Sequence, residues 1–500
     1  MKGEMKSLVF AAVAAAALSG VAEEPKRYGF DHPYVIVAEE VDAYLSGEGN
    51  AMTKEGLEKY ADSILAGGKV THVFWCPVAG RANYDSKATD PIWKGLEKSD
   101  TLWGIEKKVP GVACSGTTPE QMAANKRWAE NAKKLHDAGI DPYRVWIDRT
   151  HAKGAKAWLT IRMTDLQYCY LPKHFRTPTY FTQNEFLLST PGEPGGGSPN
   201  LMEPEVRSWL KKIVCEVADR YLDADGFEFD FVSGCDTPYA RVGSKTLGKK
   251  MMTAFISDLS QSVKSITRNS KLKTGLRLMP DTNELTVRQM SPRGTDILLP
   301  FAVPGLMMPC REWNEIDRVA PRVMPGADIS SLTAPQVAGW VSWMRGWDFP
   351  GIMLANVEKA APAVRAAVFS GDLVDLKKTV RGTRVLDLAL DAHRFERETP
   401  CTDWRVRYPW KLDRSWTYEF ALQVGSVAEK GVEVEISYQG DKVPAEILLN
   451  GYKSLSSKKG KNGTVYAFAK DSIINWRNHV YIPAQGADAA TVTAAVVRID

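Results

Sequence analysis

Short apolar runs alternate with longer amphipathic ones from residue 33 to about 358. Eight of the short runs read as β-strands: Tyr34–Glu39, Thr71–Pro77, Ala155–Met163, Gly226–Val232, Leu272–Met279, Asp296–Phe301, Arg322–Ala327 and Gly351–Asn356. Helices fill the intervals. Thr53 to Leu65 carries Leu57, Tyr60, Ile64 and Leu65 at helical spacing and stops at Gly67-Gly68. Pro204 to Tyr221 opens with a first-turn proline and lines up Val206, Leu210, Ile213 and Val217 as a buried stripe. Similar patterns fall at 119–137, 245–266 and 335–347. This rhythm predicts an α/β fold, a (β/α)8 TIM-type barrel. An open doubly wound sheet is the other candidate, but no Gly-rich phosphate turn follows the first strand. The seventh strand is the weakest of the eight, being short and containing Pro325.

Two connections are long for such a barrel, 78–118 after the second strand and 164–203 after the third. The latter includes the turn-rich run Pro191–Pro199. Both are expected to open at the carboxyl face and wall the site. Beyond about 380 the pattern changes to short strands separated by turns such as Asn450-Gly451 and Asn462-Gly463. Val385–Leu390, Trp416–Val424, Val432–Tyr438, Glu446–Leu449, Val465–Ala469, Val480–Pro483 and Thr491–Ile499 predict a smaller all-β sandwich domain after the barrel. The expected organisation is a signal peptide over 1–22, the barrel over 23–380 and the sandwich over 381–500.

The signal peptide rests on Lys2 and Lys6 before an apolar run, Leu8 to Leu18, with small residues at Gly20-Val21-Ala22. The run is too short to span a bilayer, so a secreted or periplasmic protein without stable membrane insertion is expected. Net charge is +4 with both signs interspersed, and no basic tract suggests a nucleic-acid partner. Seven Cys form no CxxC pair, and seven His are scattered, so no metal site or cofactor is expected. The 15 Trp and 17 Tyr serve packing first, although sugar-binding surfaces also use aromatic faces.

The stretch Asp225-Gly-Phe-Glu-Phe-Asp-Phe231 alternates strictly. Its phenylalanines suit a helix-covered face. Its other face carries Glu228 and Asp230, and buried carboxylates are costly unless used or paired. Asp230 falls at the strand's carboxyl end, where barrels place their chemistry. Other strand ends supply Asn83 and Tyr84 with Arg81, then Arg162 and Asp165, then Arg277, and finally Asn356 and Glu358. Glycoside hydrolysis needs two carboxyl groups in different roles. Asp230 is the first candidate. Glu228 is either its catalytic partner or half of an ion pair with Arg162 or Arg277, in which case Asp165, Asp328 or Glu358 supplies the second group. Unpaired, Arg81, Arg162 or Arg277 would suit an acidic or sulfated sugar.

Trp158–Asp165, Glu205-Val206-Arg207, Asp225–Phe231 and, more weakly, Trp340–Asn356 resemble the matching segments of exported bacterial glycosyl-hydrolase-like (β/α)8 barrel proteins. Those proteins carry a D-G-x-E-x-D type of strand. Thr164 stands where Asn is usual in them, and Ser233-Gly234 where an Arg often follows the fourth strand. The resemblance implies a carbohydrate partner. Together with the strand-end residues it predicts a secreted glycoside hydrolase with Asp230 and Glu228 as catalytic carboxyls. Arg162, Asp165, Asn83, Tyr84, Arg277, Asn356 and Glu358 would then contact substrate. The alternative is a non-catalytic glycan-binding protein on a degenerate barrel. A metal-dependent hydrolase is disfavoured by the lack of His-x-His or His-Glu-x-x-His spacings.

Overall fold

The computed structural model describes residues 34–107, 116–165, 168–169, 171–188, 199–232, 245–278, 295–302, 322–332, 334, 337, 340–341, 351–370, 384–387, 392–395, 410–411, 416–422, 431–460, 463–473, 476–486 and 488–499. The expected signal segment, Ser233-Gly234 and most of the Pro191–Pro199 run lie outside the described residues, as does most of the expected helix at 335–347.

Eight parallel strands form a closed ring: β1 (Tyr34–Ala38), β2 (His72–Ala79), β3 (Lys156–Arg162), β4 (Gly226–Asp230), β5 (Lys273–Leu278), β6 (Ile297–Ala302), β7 (Gly326–Asp328) and β8 (Gly351–Ala355). Each pairs with the next, and β8 returns to β1 with Ala38 opposite Ala355. The chain is a (β/α)8 barrel. Its seventh strand comes in two pieces. Arg322–Val323 and Gly326–Asp328 both pair with β6, and the break falls at Met324-Pro325. Proline has no N–H for the ladder, which explains the interruption.

The helices start where local chemistry predicts. The Thr53 hydroxyl accepts from Gly56 N ahead of α1 (Lys54–Leu65). Among the described residues, two helices separate β2 from β3. A Thr118–Gln121 capping box opens α2 (Pro119–Asp137), and Asp141 caps α3 (Pro142–Ala152). Further helices among the described residues are α4 (Thr179–Gln183), α5 (Pro204–Arg220), α6 (Lys245–Ile266) and α7 (Pro362–Ser370). Phe227, Phe229 and Phe231 of the β4 segment share one core with Val206, Leu210, Ile213 and Val217 of α5. Burying each phenylalanine contributes about 1.5–3 kcal/mol.

Inside the ring the floor is aromatic. Trp158 lies flat on Phe74 with ring centroids 4.9 Å apart, among Ile36, Leu299, Met324 and Met353. Gly226 and Gly275 make room for it. A Cβ at Gly226 would stand 2.3 Å from Trp158 Cε2, and one at Gly275 3.2 Å from its Cζ3. The indole therefore fills the lower barrel and leaves polar side chains to the upper layers.

The two long connections grip each other. Leu102 N donates to Lys173 O and Phe175 N to Leu102 O, while Thr179 N donates to Asp90 Oδ2. Arg81 joins them by donating to Thr177 O and Lys94 O. The chain beyond β2 doubles back at once, since Arg81–Ala82 runs antiparallel to Val78-Ala79.

The C-terminal strands form two antiparallel sheets. One orders Arg384–Asp387, Thr491–Ile499, Gly431–Gln439, Thr464–Ala469 and Ser456–Lys459, with Trp410–Lys411 beside the second of these. The other orders Ala392–Phe395, Trp416–Leu422, Trp476–Ile482, Leu448–Leu449 and Tyr452–Lys453. Val434, Ile436, Tyr466 and Val497 from the first share a core with Leu449, Val480 and Ile482 from the second, the packing of a sandwich.

Candidate active site

The alternating β4 strand deals Gly226, Glu228 and Asp230 to successive inner layers, while Asp225 before it faces outward. Asp225, at the amino end, accepts from Ala157 N at 2.9 Å and Lys156 Nζ at 2.9 Å, and its Oδ2 lies 2.7 Å from His151 Nε2. That carboxylate ties the barrel's base together. Gly226 yields to Trp158. Glu228 occupies the middle layer, where it is fully buried.

Arg277 of β5 donates to Glu228 through both arms, Nε to Oε1 at 2.8 Å and Nη2 to Oε2 at 2.7 Å. Thr160 Oγ1 of β3 adds a 2.5 Å bond. Burial lifts the Glu228 carboxyl above its ordinary range, and the Arg277 charge opposes that rise. Of the alternatives open to Glu228, the geometry realises the ion pair with Arg277.

Asp230 forms the next layer up, also fully buried. Its Oδ1 accepts from Val232 N at 2.8 Å. Its Oδ2 faces two guanidinium groups, Arg277 Nη1 at 3.5 Å and Arg162 Nε at 4.0 Å. Arg162 has two further carboxylate partners. Its Nη1 donates to Asp165 Oδ2 at 2.9 Å and its Nη2 to Glu40 Oε2. Asp165 accepts in addition from Tyr168 OH at 2.6 Å and from Arg176, a residue of the long connection. Burial alone would raise the Asp165 carboxyl, but Arg176 and Arg162 hold it well below the carboxylate range.

A second acidic group lies where β8 and β1 end. Glu39 and Glu40 directly follow β1, and Glu358 follows β8 by three residues. Burial would raise Glu40, but the Arg162 and Lys359 charges bring it below its usual value. Glu39 behaves oppositely. Burial pushes it up to about 7, with the Glu40 charge adding to the rise and the Tyr60 hydrogen bond opposing it. Burial and then the Glu39 charge push Glu358 up to about 9. Asn356 sits between in the left-handed region, φ 57°, and its Nδ2 donates to Asp328 Oδ2 at 2.8 Å.

Asp230, Glu228, Arg162, Arg277 and Asp165 thus meet in one network, with Asn356 and Glu358 on the β8 side of the same mouth. Asn83 and Tyr84 do not join them. Asn83 is buried, with Nδ2 donating to Val41 O and Tyr143 OH and Oδ1 accepting from Trp128 Nε1. Tyr84 OH donates at 2.9 Å to Glu216 of α5. Both polar ends are committed to the helix layer because the chain turns outward after Ala79. The three arginines considered for an acidic sugar are likewise engaged, Arg81 with loop carbonyls and Arg162 and Arg277 with carboxylates. Glu39, Glu40, Tyr60, Arg176 and Lys359 were missed. For the first two a signal existed, since paired acids follow the apolar run Tyr34–Ala38.

No family model matches the chain. It is 24% identical over 347 residues to the glycosyl hydrolase DigH of Escherichia coli K12, spanning 62% of this chain and 76% of that protein. The Shigella flexneri protein of the same name matches to the same extent. Among solved structures, the PgaB (BpsB) glycoside hydrolase domain from Bordetella bronchiseptica gives a TM-score of 0.44 at 11% identity, covering 69% of this chain and 100% of that one. An alpha-L-fucosidase GH29 from Bacteroides thetaiotaomicron gives 0.36 at 10%, covering 91% and 93%.

Proposed function

We propose that this chain is a glycoside hydrolase acting on a polysaccharide or its fragments. The observation that carries the reading is the placement of Asp230. It lies at the carboxyl end of β4 with two guanidinium groups on one carboxylate oxygen, at a mouth that also holds Glu39 and Glu358, which burial pushes upward. Carboxyls driven apart in acidity by their surroundings are how one site supplies both an anion and a proton donor. Glycosidic cleavage uses that combination. The likeness to the E. coli glycosyl hydrolase, modest in identity, points the same way.

In this reading Asp230 is the carboxylate that faces the anomeric carbon. Arg162 and Arg277 hold it in place, and Glu228 fixes Arg277. Asp165, held far below the carboxylate range, lacks the proton an acid must give. Asn356 offers its amide to sugar hydroxyls, since its Oδ1 has no partner among the described residues. We propose further that the protein acts after export.

The test is incubation of the full chain with a panel of neutral, uronic and sulfated glycans, reading released reducing ends. Release from one member supports hydrolysis. Silence across the panel with retained binding would move the assignment to a glycan-binding protein.

A further inference from the structure

Glu39 and Glu358 face the same buried space from adjacent strand ends, in register at Ala38 and Ala355. Glu39 is 5% exposed. The Tyr60 hydroxyl of α1 donates to its Oε2, while Oε1 has no hydrogen-bond partner among the described residues. Neither oxygen of Glu358 has one either. Three carboxyl oxygens of this pair are therefore buried without a hydrogen-bond partner among the described residues. Such atoms are costly unless they carry protons or receive a ligand.

The charged and titratable groups around the pair do not neutralise it. Tyr60 comes from α1, Glu40 and Asp42 from the segment after β1, and Lys359 and Arg365 from the β8 side. Lys359 Nζ is shared at 4.0 Å between Glu358 and Glu40. Arg365 Nη1 is spent on the Glu358 main-chain oxygen at 2.8 Å. Each carboxyl opposes ionisation of the other.

We propose that Glu358 is the proton donor of the glycosidic cleavage and that Glu39 is the positioning residue that keeps it loaded. This rests on the hydrolase reading above. The Glu358 carboxyl gives its proton to the glycosidic oxygen. The C–O bond breaks with its electron pair going to that oxygen, which departs as an alcohol. The Asp230 carboxylate balances the positive charge left on the sugar. Water then adds its oxygen to the anomeric carbon and returns a proton to Glu358, so the donor is restored and one water is consumed.

Two measurements test this, both on the full chain with Gln replacements that keep side-chain shape. Infrared difference spectra at neutral pH should show a protonated-carboxyl band that is lost in Glu358→Gln, a readout that needs no substrate. On the glycan cleaved in the panel, Glu358→Gln should fall on the order of 10²–10⁴-fold. On an aryl glycoside of the same sugar with an acidic phenol as leaving group, the loss should stay within about tenfold, since such a group needs no donor. Glu39→Gln should move the alkaline limb of the pH–rate profile down by about 1–3 units. Equal losses on both substrates, an unmoved limb or an unchanged carboxyl band would each overturn the proposal. If no glycan is cleaved at all, the hydrolase reading fails, while the infrared band still decides whether the pair holds its proton.

Discussion

Arg277 meets Glu228 along both arms of its guanidinium, at 2.8 and 2.7 Å, and its remaining nitrogen reaches toward Asp230 at 3.5 Å. One side chain thus fixes the middle carboxylate of β4 and orients the upper one. Both partners are buried, so the pair is replaceable only as a pair. Removing either alone strands a charge and should cost about 3–5 kcal/mol, whereas Glu228→Gln with Arg277→Met should cost less than either single change. Urea denaturation of the two single variants and the double variant checks this. A double variant that loses the sum of the single losses would contradict it.

The Trp158 floor makes a second demand. Gly226→Ala places a methyl 2.3 Å from the indole, and the near neighbours are ring atoms stacked against Phe74. Overpacking of this kind costs about 1–3 kcal/mol. The expected result is a lowered Tm with altered tryptophan fluorescence. An unchanged Tm would mean that Trp158 does not fill the space as described.

Stability should fall as pH rises. Glu39 and Glu358 are raised from an ordinary 4.5 to about 7 and about 9. Each therefore binds its proton more tightly when folded. Their contribution is complete below about pH 4.5 and is lost as pH climbs through those values. Asp165 runs the opposite way, contributing above its ordinary value and losing that contribution only in acid. Urea midpoints at about pH 5, 7 and 9 should decline in the wild type and decline less in Glu358→Gln. A midpoint that rises over this range would refute the assignment.

Glu216 of α5 anchors the start of the first long connection. It accepts from Tyr84 OH at 2.9 Å, Ser86 Oγ at 2.5 Å, Lys87 N at 2.7 Å and Ala88 N at 2.9 Å. Glu216→Ala should loosen residues 84–90 and speed proteolytic cleavage there severalfold, with the barrel's far side unaffected. Unchanged cleavage would show that the Asp90 and Arg81 contacts suffice.

What was legible in the chain follows from periodicity. Strands with two different faces announce themselves, and all eight barrel strands were read within two residues, apart from the split that Pro325 imposes on the seventh. The carboxylates of β4 were legible for the same reason, because an acid at every second position of an apolar strand has no local explanation. Their partners were not. Whether Glu228 meets Arg162 or Arg277 depends on the register between strands far apart in sequence. Asn83 and Tyr84 looked like strand-end ligands only because nothing local reveals that the chain reverses at Gly80. Glu39 was read only as the end of a strand, and Glu40 was not singled out. Burial raises Glu39 with the Glu40 charge adding to it, while Arg162 and Lys359, both distant in sequence, bring Glu40 down. Short strands such as Tyr452–Lys453 are too brief to show alternation.

The most direct test of the account is the hydrolysis rate of Asp230→Asn beside the wild type, on the glycan that responds. The account predicts a loss of at least about a thousandfold in a variant that still folds, as expected for a carboxylate that acts on the reacting sugar. A variant that keeps its full rate would remove Asp230 from the chemistry and the hydrolase mechanism with it.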